Sequence, residues 1–159
     1  MNAVPENMQI RKSIIKDPAL AEYGYRKLEW VSQNMSVLNI LREEFIQTKP
    51  LAGKTIACCL HLEAKTGYLL QTLKAAGADV VACASNPLST QDDVVAALAD
   101  SGITVYAIHG ESPEEYHKFL EMTLDTMPDA IIDDGADVVT MLHKSRVDQA
   151  RKIIGGCEE

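Results

Sequence analysis

The chain has 159 residues, of which 47% are apolar, so it is long and apolar enough for one domain with a hydrophobic core. Its formal net charge of −8 argues against binding to nucleic acid or to an anionic membrane surface. No stretch approaches the roughly 18 apolar residues of a membrane helix and no signal peptide is evident, so we expect a soluble cytoplasmic protein. The four cysteines show no CxxC spacing, which predicts reduced, mostly buried thiols and no metal site.

The first third of the chain predicts a helical extension. Residues 1–16 carry no strong signal and are interpreted as a flexible arm. Residues 18–33 begin with a proline, as helices often do, and continue with apolar residues at helical spacing. A second helix is predicted over 35–47. We therefore expect an arm and two helices in residues 1–50, followed by a parallel α/β domain in residues 51–159.

Strands and helices alternate through the rest of the chain. The predicted strands are 55–60, 79–84, 103–108, 130–132 and 153–156, and the predicted helices are 63–76, 90–100, 113–127, 139–144 and 147–152. This alternation is typical of βαβ units, in which right-handed crossovers place helices on both faces of a parallel sheet. The expected fold class is α/β, a Rossmann-like three-layer domain with an N-terminal helical extension.

Polar side chains follow the first four strands, at the edge where open α/β sheets bind ligands. The groups, in chain order, are His61, Glu63, Lys65 and Thr66; Asn86, Ser89, Thr90, Gln91 and Asp92; His109 and Glu111; and Asp133, Asp134 and Asp137. No glycine-rich phosphate loop and no G-x-S-x-G nucleophile motif is present. A polar, carboxylate-rich cleft without a phosphate cradle suits a neutral polyhydroxylated ligand such as a nucleoside.

Each of these groups also has a purely structural explanation. Ser89 and Thr90 are good helix-start residues, and capping alone could account for them. Asp133 and Asp134 could form a turn, although two adjacent carboxylates are uncommon there because like charges repel. His61 could equally be a core or capping histidine. The other three histidines are interpreted as surface or capping residues.

Four segments carry a resemblance to a known family. They are LHLEAKT at 60–66, SNPLSTQDD at 85–93, IDDGAD at 132–137 and GGCEE at 155–159. The segments resemble S-adenosylhomocysteine hydrolase (adenosylhomocysteinase), and the likeness runs from about Trp30 to the last residue. NPLSTQDD is highly specific, and the other motifs occur in the family's order. Since the family continues with a catalytic lysine and an NAD-binding domain, the resemblance implies an N-terminal substrate-binding segment that is inactive alone.

The resemblance also implies roles for individual residues. In the family, NAD oxidises the ribose 3′-hydroxyl, homocysteine leaves from C5′, water adds, and the ketone is reduced back. His61 matches the general acid and base near C5′, Asp134 matches the aspartate that orients His61 or the water, and Glu159 matches the glutamate that binds the ribose hydroxyls. These three are the expected catalytic residues. The expected substrate-binding residues are Glu63, Lys65, Thr66, Asn86, Ser89 and Gln91.

The same resemblance implies the partners. The substrate is a nucleoside thioether, adenosyl- or inosyl-homocysteine, of the S-adenosylmethionine cycle in one-carbon metabolism. NAD is expected in the full-length family, and none is expected to bind this segment alone. The full-length enzyme is expected to be a homo-oligomer.

One position departs from the family pattern. Many members have threonine and glutamate where this chain has Glu63 and Lys65, and that glutamate can accept a hydrogen bond from the adenine 6-amino group. A lysine has donors only, so it suits the 6-oxo group of hypoxanthine better. We hypothesise that the protein prefers or tolerates S-inosylhomocysteine. The alternative is that Lys65 points to solvent and pairs with Glu63 or a helix neighbour.

Two functions from other classes fit the pattern less well. A signalling receiver domain would use Asp133 and Asp134 in a metal and phosphoacceptor pocket. Receivers also need carboxylates from two strands and a lysine at a fifth strand end, and neither is evident. A stand-alone nucleoside-binding or regulatory protein without catalysis stays open as the alternative.

Overall fold

The computed structural model describes residues 11–158 and contains a five-stranded parallel sheet flanked by helices. The strands are β1 (Thr55–Leu60), β2 (Asp79–Ala84), β3 (Thr104–Tyr106), β4 (Ala130–Asp133) and β5 (Gly155–Glu158), in the order β3-β2-β1-β4-β5. The helices are α1 (Ala21–Ser32), α2 (Ser36–Thr48), α3 (Ala64–Ala75), α4 (Asp92–Asp100), α5 (Pro113–Leu124), α6 (Asp137–Ser145) and α7 (Val147–Ala150). The predicted α/β class with N-terminal helices is confirmed. Within residues 11–158, no helix has the length and apolar character needed to cross a bilayer.

Strand β1 is buried on both faces, which makes it the centre of the core. Ile56, Cys58 and Leu60 pack with residues of α1, α3 and α4 on one face. Ala57 and Cys59 pack with residues of α5 and α6 on the other. Burial on both faces explains why this strand is a continuous apolar run without polar alternation. Three of the four cysteines are buried free thiols, as predicted, and the fourth is exposed.

The chain before α1 runs along the outer edge of β3. Ile14 forms a parallel bridge with Tyr106, and its backbone N–H donates to the Val105 carbonyl at 2.9 Å. Arg11 Nη1 donates to Asp79 Oδ2 at 2.7 Å. The expectation of a flexible arm is therefore wrong from residue 11 onward, because these residues satisfy backbone groups that the edge of β3 would otherwise expose. The first ten residues of that predicted arm lie outside the described residues.

Two predicted helix starts have different outcomes. Helix α5 begins at the predicted residue with a capping box, in which Ser112 Oγ accepts from the Glu115 N–H and the Glu115 carboxylate accepts from the Ser112 N–H. Helix α4 begins two residues later than predicted, and its N-cap residue makes no side-chain cap bond. Ser89 and Thr90 instead donate their hydroxyls to the Asn86 carbonyl oxygen. Capping of α4 is therefore the wrong explanation for this pair.

Helices α1 and α4 approach each other closely at Gly24. A Cβ at this position would lie 2.0 Å from the Asp93 carbonyl oxygen, so only glycine fits without moving a helix. We expect Gly24→Ala to lower the free energy of unfolding by about 1–3 kcal/mol through overpacking. This loss should appear although alanine favours a helix by about 1 kcal/mol over glycine. Urea unfolding monitored by circular dichroism measures it.

Gly155→Ala is the matched control, because nothing lies within 4 Å of a Cβ built at that position. An equal loss of stability in the two variants, or a gain in Gly24→Ala, would contradict the close-packing explanation.

Candidate active site at the carboxyl ends of β1, β2 and β4

Polar side chains predicted at the ends of β1, β2 and β4 meet around His61. His61 follows β1, Ser85 and Asn86 follow β2, and Asp134 follows β4. Because β1 lies between β2 and β4 in the sheet, His61 stands between the other two groups. This is the place in an open α/β sheet where ligands bind.

His61 contacts a polar side chain with each of its ring nitrogens. Its Nε2 lies 3.1 Å from Asp134 Oδ2, and its Nδ1 lies 2.5 Å from Ser89 Oγ. Ser85 Oγ donates to the same Asp134 oxygen at 3.1 Å. These two contacts hold the ring in one orientation. Because the side chain of His61 is 47% exposed, the ring also remains accessible to a ligand. The arrangement suits a histidine that exchanges protons with a bound molecule.

The turn that carries Asp134 is fixed by its neighbours. Asp133 is fully buried, and its two carboxylate oxygens accept from the backbone N–H groups of Asp134 and Val139. Gly135 donates its N–H to Glu158 Oε1 at 2.8 Å, which links the turn to β5. The adjacent aspartates therefore divide two tasks, with Asp133 shaping the turn and Asp134 facing His61. Glu159, expected to be catalytic, lies outside the described residues.

The loop after β2 brings some of the predicted residues to His61 and turns one away. Asn86 Oδ1 accepts from the Leu88 N–H at 2.8 Å, so this side chain shapes the loop. Ser89 faces His61. The Gln91 side chain is directed toward α1, where its oxygen accepts from Lys27 Nζ at 2.9 Å. Asn86, Ser89 and Gln91 were expected beside a ligand, but the side chain of Gln91 is bonded to Lys27 instead.

Glu63 forms the N-cap of α3. Its Oε1 accepts from the backbone N–H groups of Lys65 and Thr66, both at 3.0 Å. The Lys65 side chain is exposed, and among residues 11–158 it forms no ion pair within 4.0 Å. The exposure of Lys65 agrees with the alternative that its side chain points to solvent, whereas the pairing with Glu63 that this alternative included is not observed.

Two clefts flank the start of α3. The larger, of about 600 Å³, is lined by Asn34, Met35, Ser36, Val37, Leu38, Leu41, Leu60, Glu63, Lys65, Thr66 and Leu69. The smaller, of about 380 Å³, is lined by Arg26, Lys27, Trp30, Val31, Glu63, Ala64 and Lys65. Glu63, Lys65 and Thr66, predicted here to bind substrate, all line the larger cleft, whose opposite wall comes from α2 and the residues just before it. Helix α1 lines the smaller cleft. Those walls were missed, because helices that precede the sheet have no strand-end signal.

A second hydrogen-bonded group supports the site from α5. Tyr116 Oη lies 2.7 Å from Asp137 Oδ2 and 3.1 Å from the Ser85 carbonyl oxygen. Burial and the bond to Asp137 raise the pKa of Tyr116, which keeps its hydroxyl protonated as a donor. Ser85 directly follows β2, so its position in the sequence could have identified it as a residue of the site. No sequence signal marks Tyr116, which lies in the first turn of α5 and does not follow a strand.

Glu111 lies in the loop between β3 and α5, outside the group around His61. It is 7% exposed; its Oε2 accepts from the Ile108 N–H at 2.8 Å, and its Oε1 is buried with no hydrogen-bond partner among the described residues. Burial raises its pKa from 4.5 to about 7. A protonated carboxyl is favoured there because a charge would be poorly compensated.

The turns that open α3 and α6 lack free N–H groups arranged as a cradle for the phosphates of a dinucleotide. The first free N–H groups of α3 are taken by the Glu63 carboxylate, and an N–H of the first turn of α6 by Asp133. No glycine-rich loop opens either helix. Within residues 11–158, no cluster of three or more side chains is arranged to hold a metal ion.

The fold and the site together define an α/β domain with a parallel sheet and a histidine–aspartate pair at the carboxyl ends of its strands. Residues 12–157 match the model of the S-adenosyl-L-homocysteine hydrolase family, and the chain belongs to that family. The resemblance inferred from the sequence is confirmed.

Named relatives fall into two groups. The adenosylhomocysteinase of Pyrococcus abyssi is 56% identical over 91% of this chain and 34% of its own length. The S-inosyl-L-homocysteine hydrolase of Methanococcus maripaludis is 50% identical over 92% of this chain and 35% of its own length. The adenosylhomocysteinase of Aquifex aeolicus is 49% identical over 91% and 35%, respectively. The chain thus spans about a third of the curated relatives it matches.

The raised pKa of Glu111 predicts that the free energy of unfolding depends on pH. Between pH 4.5 and about 7 the folded protein holds a proton on Glu111 that the unfolded chain releases, so stability should fall as pH rises through this window. Glu111→Gln removes this dependence and should be more stable than the wild type above pH 7 by up to about 3 kcal/mol. Urea unfolding at several pH values tests this. Glu114→Gln, an exposed neighbour, should leave the slope unchanged.

Proposed function

We propose that this chain is the substrate-binding part of an NAD-dependent hydrolase that cleaves S-adenosylhomocysteine or S-inosylhomocysteine to a nucleoside and homocysteine. The observation that carries the proposal is His61, held between Asp134 and Ser89 beside the cleft at the start of α3. Membership of the family and the names of the relatives support it. The same proposal includes a cytoplasmic location and an oligomeric full-length form.

The larger cleft suits the purine of the substrate. Its volume of about 600 Å³ is within the range of small-molecule sites. Apolar side chains, including Met35, Leu38 and Leu69, can pack on the faces of a flat ring, while Lys65 and Thr66 present polar groups to its edge. Leu60, in the cleft wall, immediately precedes His61, so a nucleoside with its base in the cleft would direct its ribose toward the histidine.

His61 is the group best placed to move protons in this reaction. In our proposal it protonates the leaving sulfur and later accepts a proton from the attacking water. Asp134 orients the ring through Nε2, and Ser85 holds the carboxylate of Asp134 in place. NAD, bound by other parts of the full-length family, would supply the oxidation of the ribose, and residues 11–158 contribute substrate binding and proton transfer.

The position of Lys65 favours a 6-oxopurine. Lys65 lines both clefts and is not paired with a carboxylate among the described residues. Its ammonium group can donate to the 6-oxo group of hypoxanthine but meets another donor in the 6-amino group of adenine. The relatives bear both names at similar identity, so the overall likeness does not decide between the two bases.

Calorimetric titration of the purified chain with inosine, adenosine and NAD in turn tests the proposal. Because mispaired donors cost about 1–3 kcal/mol, inosine should bind roughly 5- to 150-fold more tightly than adenosine. NAD should give no binding signal. Lys65→Glu should reduce or invert the preference, while Lys118→Glu, the same charge change at an exposed position on α5, should leave it intact.

The outcomes separate the parts of the proposal. Tighter binding of adenosine by the wild-type chain would contradict the role of Lys65 and retain the substrate class. Failure to bind either nucleoside would contradict substrate binding by this chain.

A further inference from the structure

The turn between β3 and α5 is closed by Glu111 through both its backbone and its side chain. The Glu111 N–H donates to the Ile108 carbonyl oxygen at 3.1 Å, and the Ile108 N–H donates to Glu111 Oε2 at 2.8 Å. Because these two bonds join the ends of the turn, they fix the backbone of the two residues between them, His109 and Gly110. The carboxyl group of Glu111 therefore contributes directly to the shape of this turn.

The two middle residues of the turn support the loop that follows β2. The Gly110 N–H donates to the Pro87 carbonyl oxygen at 3.1 Å, and His109 Nδ1 lies 2.9 Å from the Thr90 carbonyl oxygen. A carbonyl oxygen can only accept, so Nδ1 of His109 carries the hydrogen in this bond. The two carbonyl groups lie on either side of Ser89 in the sequence, and the turn therefore holds the loop that places Ser89 in the site.

One oxygen of the Glu111 carboxyl group has no hydrogen-bond partner among the described residues. This oxygen, Oε1, is buried, and the residue as a whole is 7% exposed. Burial without a donor is costly for a charged group and much less so for a neutral carboxyl group. Burial, together with the nearby carboxylates of Glu115 on α5 and Asp92 on α4, raises the pKa of Glu111 to about 7. The turn is thus suited to the protonated form of this carboxyl group.

The charged groups around Glu111 are already bonded elsewhere. Asp92 accepts from the His109 N–H at 2.8 Å and pairs with Lys16 at 3.0 Å. The Glu115 carboxylate accepts from the Ser112 N–H at 2.9 Å. His109 directs Nδ1 to the loop after β2 and keeps the hydrogen on that nitrogen in both of its charge states. Ionisation of Glu111 therefore adds a negative charge that none of these groups compensates.

We propose that Glu111 is a positioning residue, whose neutral carboxyl group closes this turn and thereby holds the loop after β2, which carries Asn86 and Ser89, at the edge of the site. When Glu111 loses its proton to water, the charged side chain must reach solvent, which separates it from the Ile108 N–H and opens the turn. The bonds from the turn to the loop then weaken. No covalent bond other than the O–H of Glu111 changes. The inference rests on the proposed function, in which this loop borders the bound nucleoside.

Amide hydrogen exchange, measured by nuclear magnetic resonance on the whole chain at pH 6 and pH 8, tests the proposal. The protection factor, which removes the intrinsic pH dependence of exchange, is measured for the N–H of Gly110 and for the N–H of Ser89, which donates to the Asn86 carbonyl oxygen. With a pKa of 4.5 in the open form and about 7 in the closed form, linkage predicts that protection is about tenfold lower at pH 8 than at pH 6. Both amides should show this loss.

Three variants separate Glu111 from its neighbours. Glu111→Gln keeps an acceptor for the Ile108 N–H and cannot ionise, so its protection factors should be equal at the two pH values. Glu114→Gln, at an exposed position of α5, should retain the tenfold loss. His109→Gln, which removes a second group that titrates near neutral pH and keeps a side-chain donor, should also retain it.

Calorimetry with inosine at the same two pH values connects the turn to the site. The wild type should lose more affinity between pH 6 and pH 8 than Glu111→Gln does, by up to about tenfold. Because His61 can titrate in both proteins, the difference between them isolates the effect of Glu111. An equal loss of affinity in the two proteins would contradict the positioning role.

The exchange measurements decide the proposal without a nucleoside. Equal protection at the two pH values in the wild type, or a loss that persists in Glu111→Gln, would overturn it. Protection that falls at Gly110 and not at Ser89 would overturn the link from the turn to the loop. Failure of the proposed function would appear separately, as absent binding of inosine by the wild type at either pH.

Discussion

The site depends on the position of β1, which is hydrogen-bonded to β2 on one side and to β4 on the other. Both of its faces are buried under helices, so its direction and register cannot shift without loss of the core. The register pairs Cys59 with Cys83 and with Asp133. As a result, the residues that follow the three strands emerge at one level, and His61 meets partners from both sides.

The polar groups around this edge are divided between holding the backbone and facing a ligand. Glu63 and Asp133 take up helix N–H groups, which satisfies donors that the helix ends would otherwise leave free. His61 contacts the side chains of Asp134 and Ser89 and keeps an accessible surface. Fewer carboxylates therefore face the cleft than the number of acidic residues at this edge of the sheet indicates.

The sequence predicts the most buried elements best. The bounds of β1 and β2 agree with the prediction because both are continuous apolar runs, whereas β3 is shorter than predicted and β5 begins two residues later. His61, Asp134 and Ser89 were predicted to lie together, and they do. The partner of Gln91 was not predictable, since it comes from α1, which has no pattern that shows its packing against α4. The walls of the cleft contributed by α2 were missed for the same reason.

The two edges of the sheet differ in their capacity to accept another strand. At β3, the backbone of Ile14 already occupies hydrogen-bonding groups on the outer side. At β5, the four residues from Gly155 to Glu158 are exposed, and within the described part of the chain no strand pairs with their outer side. Open strand edges are the usual starting points for self-association. Among residues 11–158, a further strand can therefore join this sheet beside β5, whereas the backbone of Ile14 already covers part of the β3 edge.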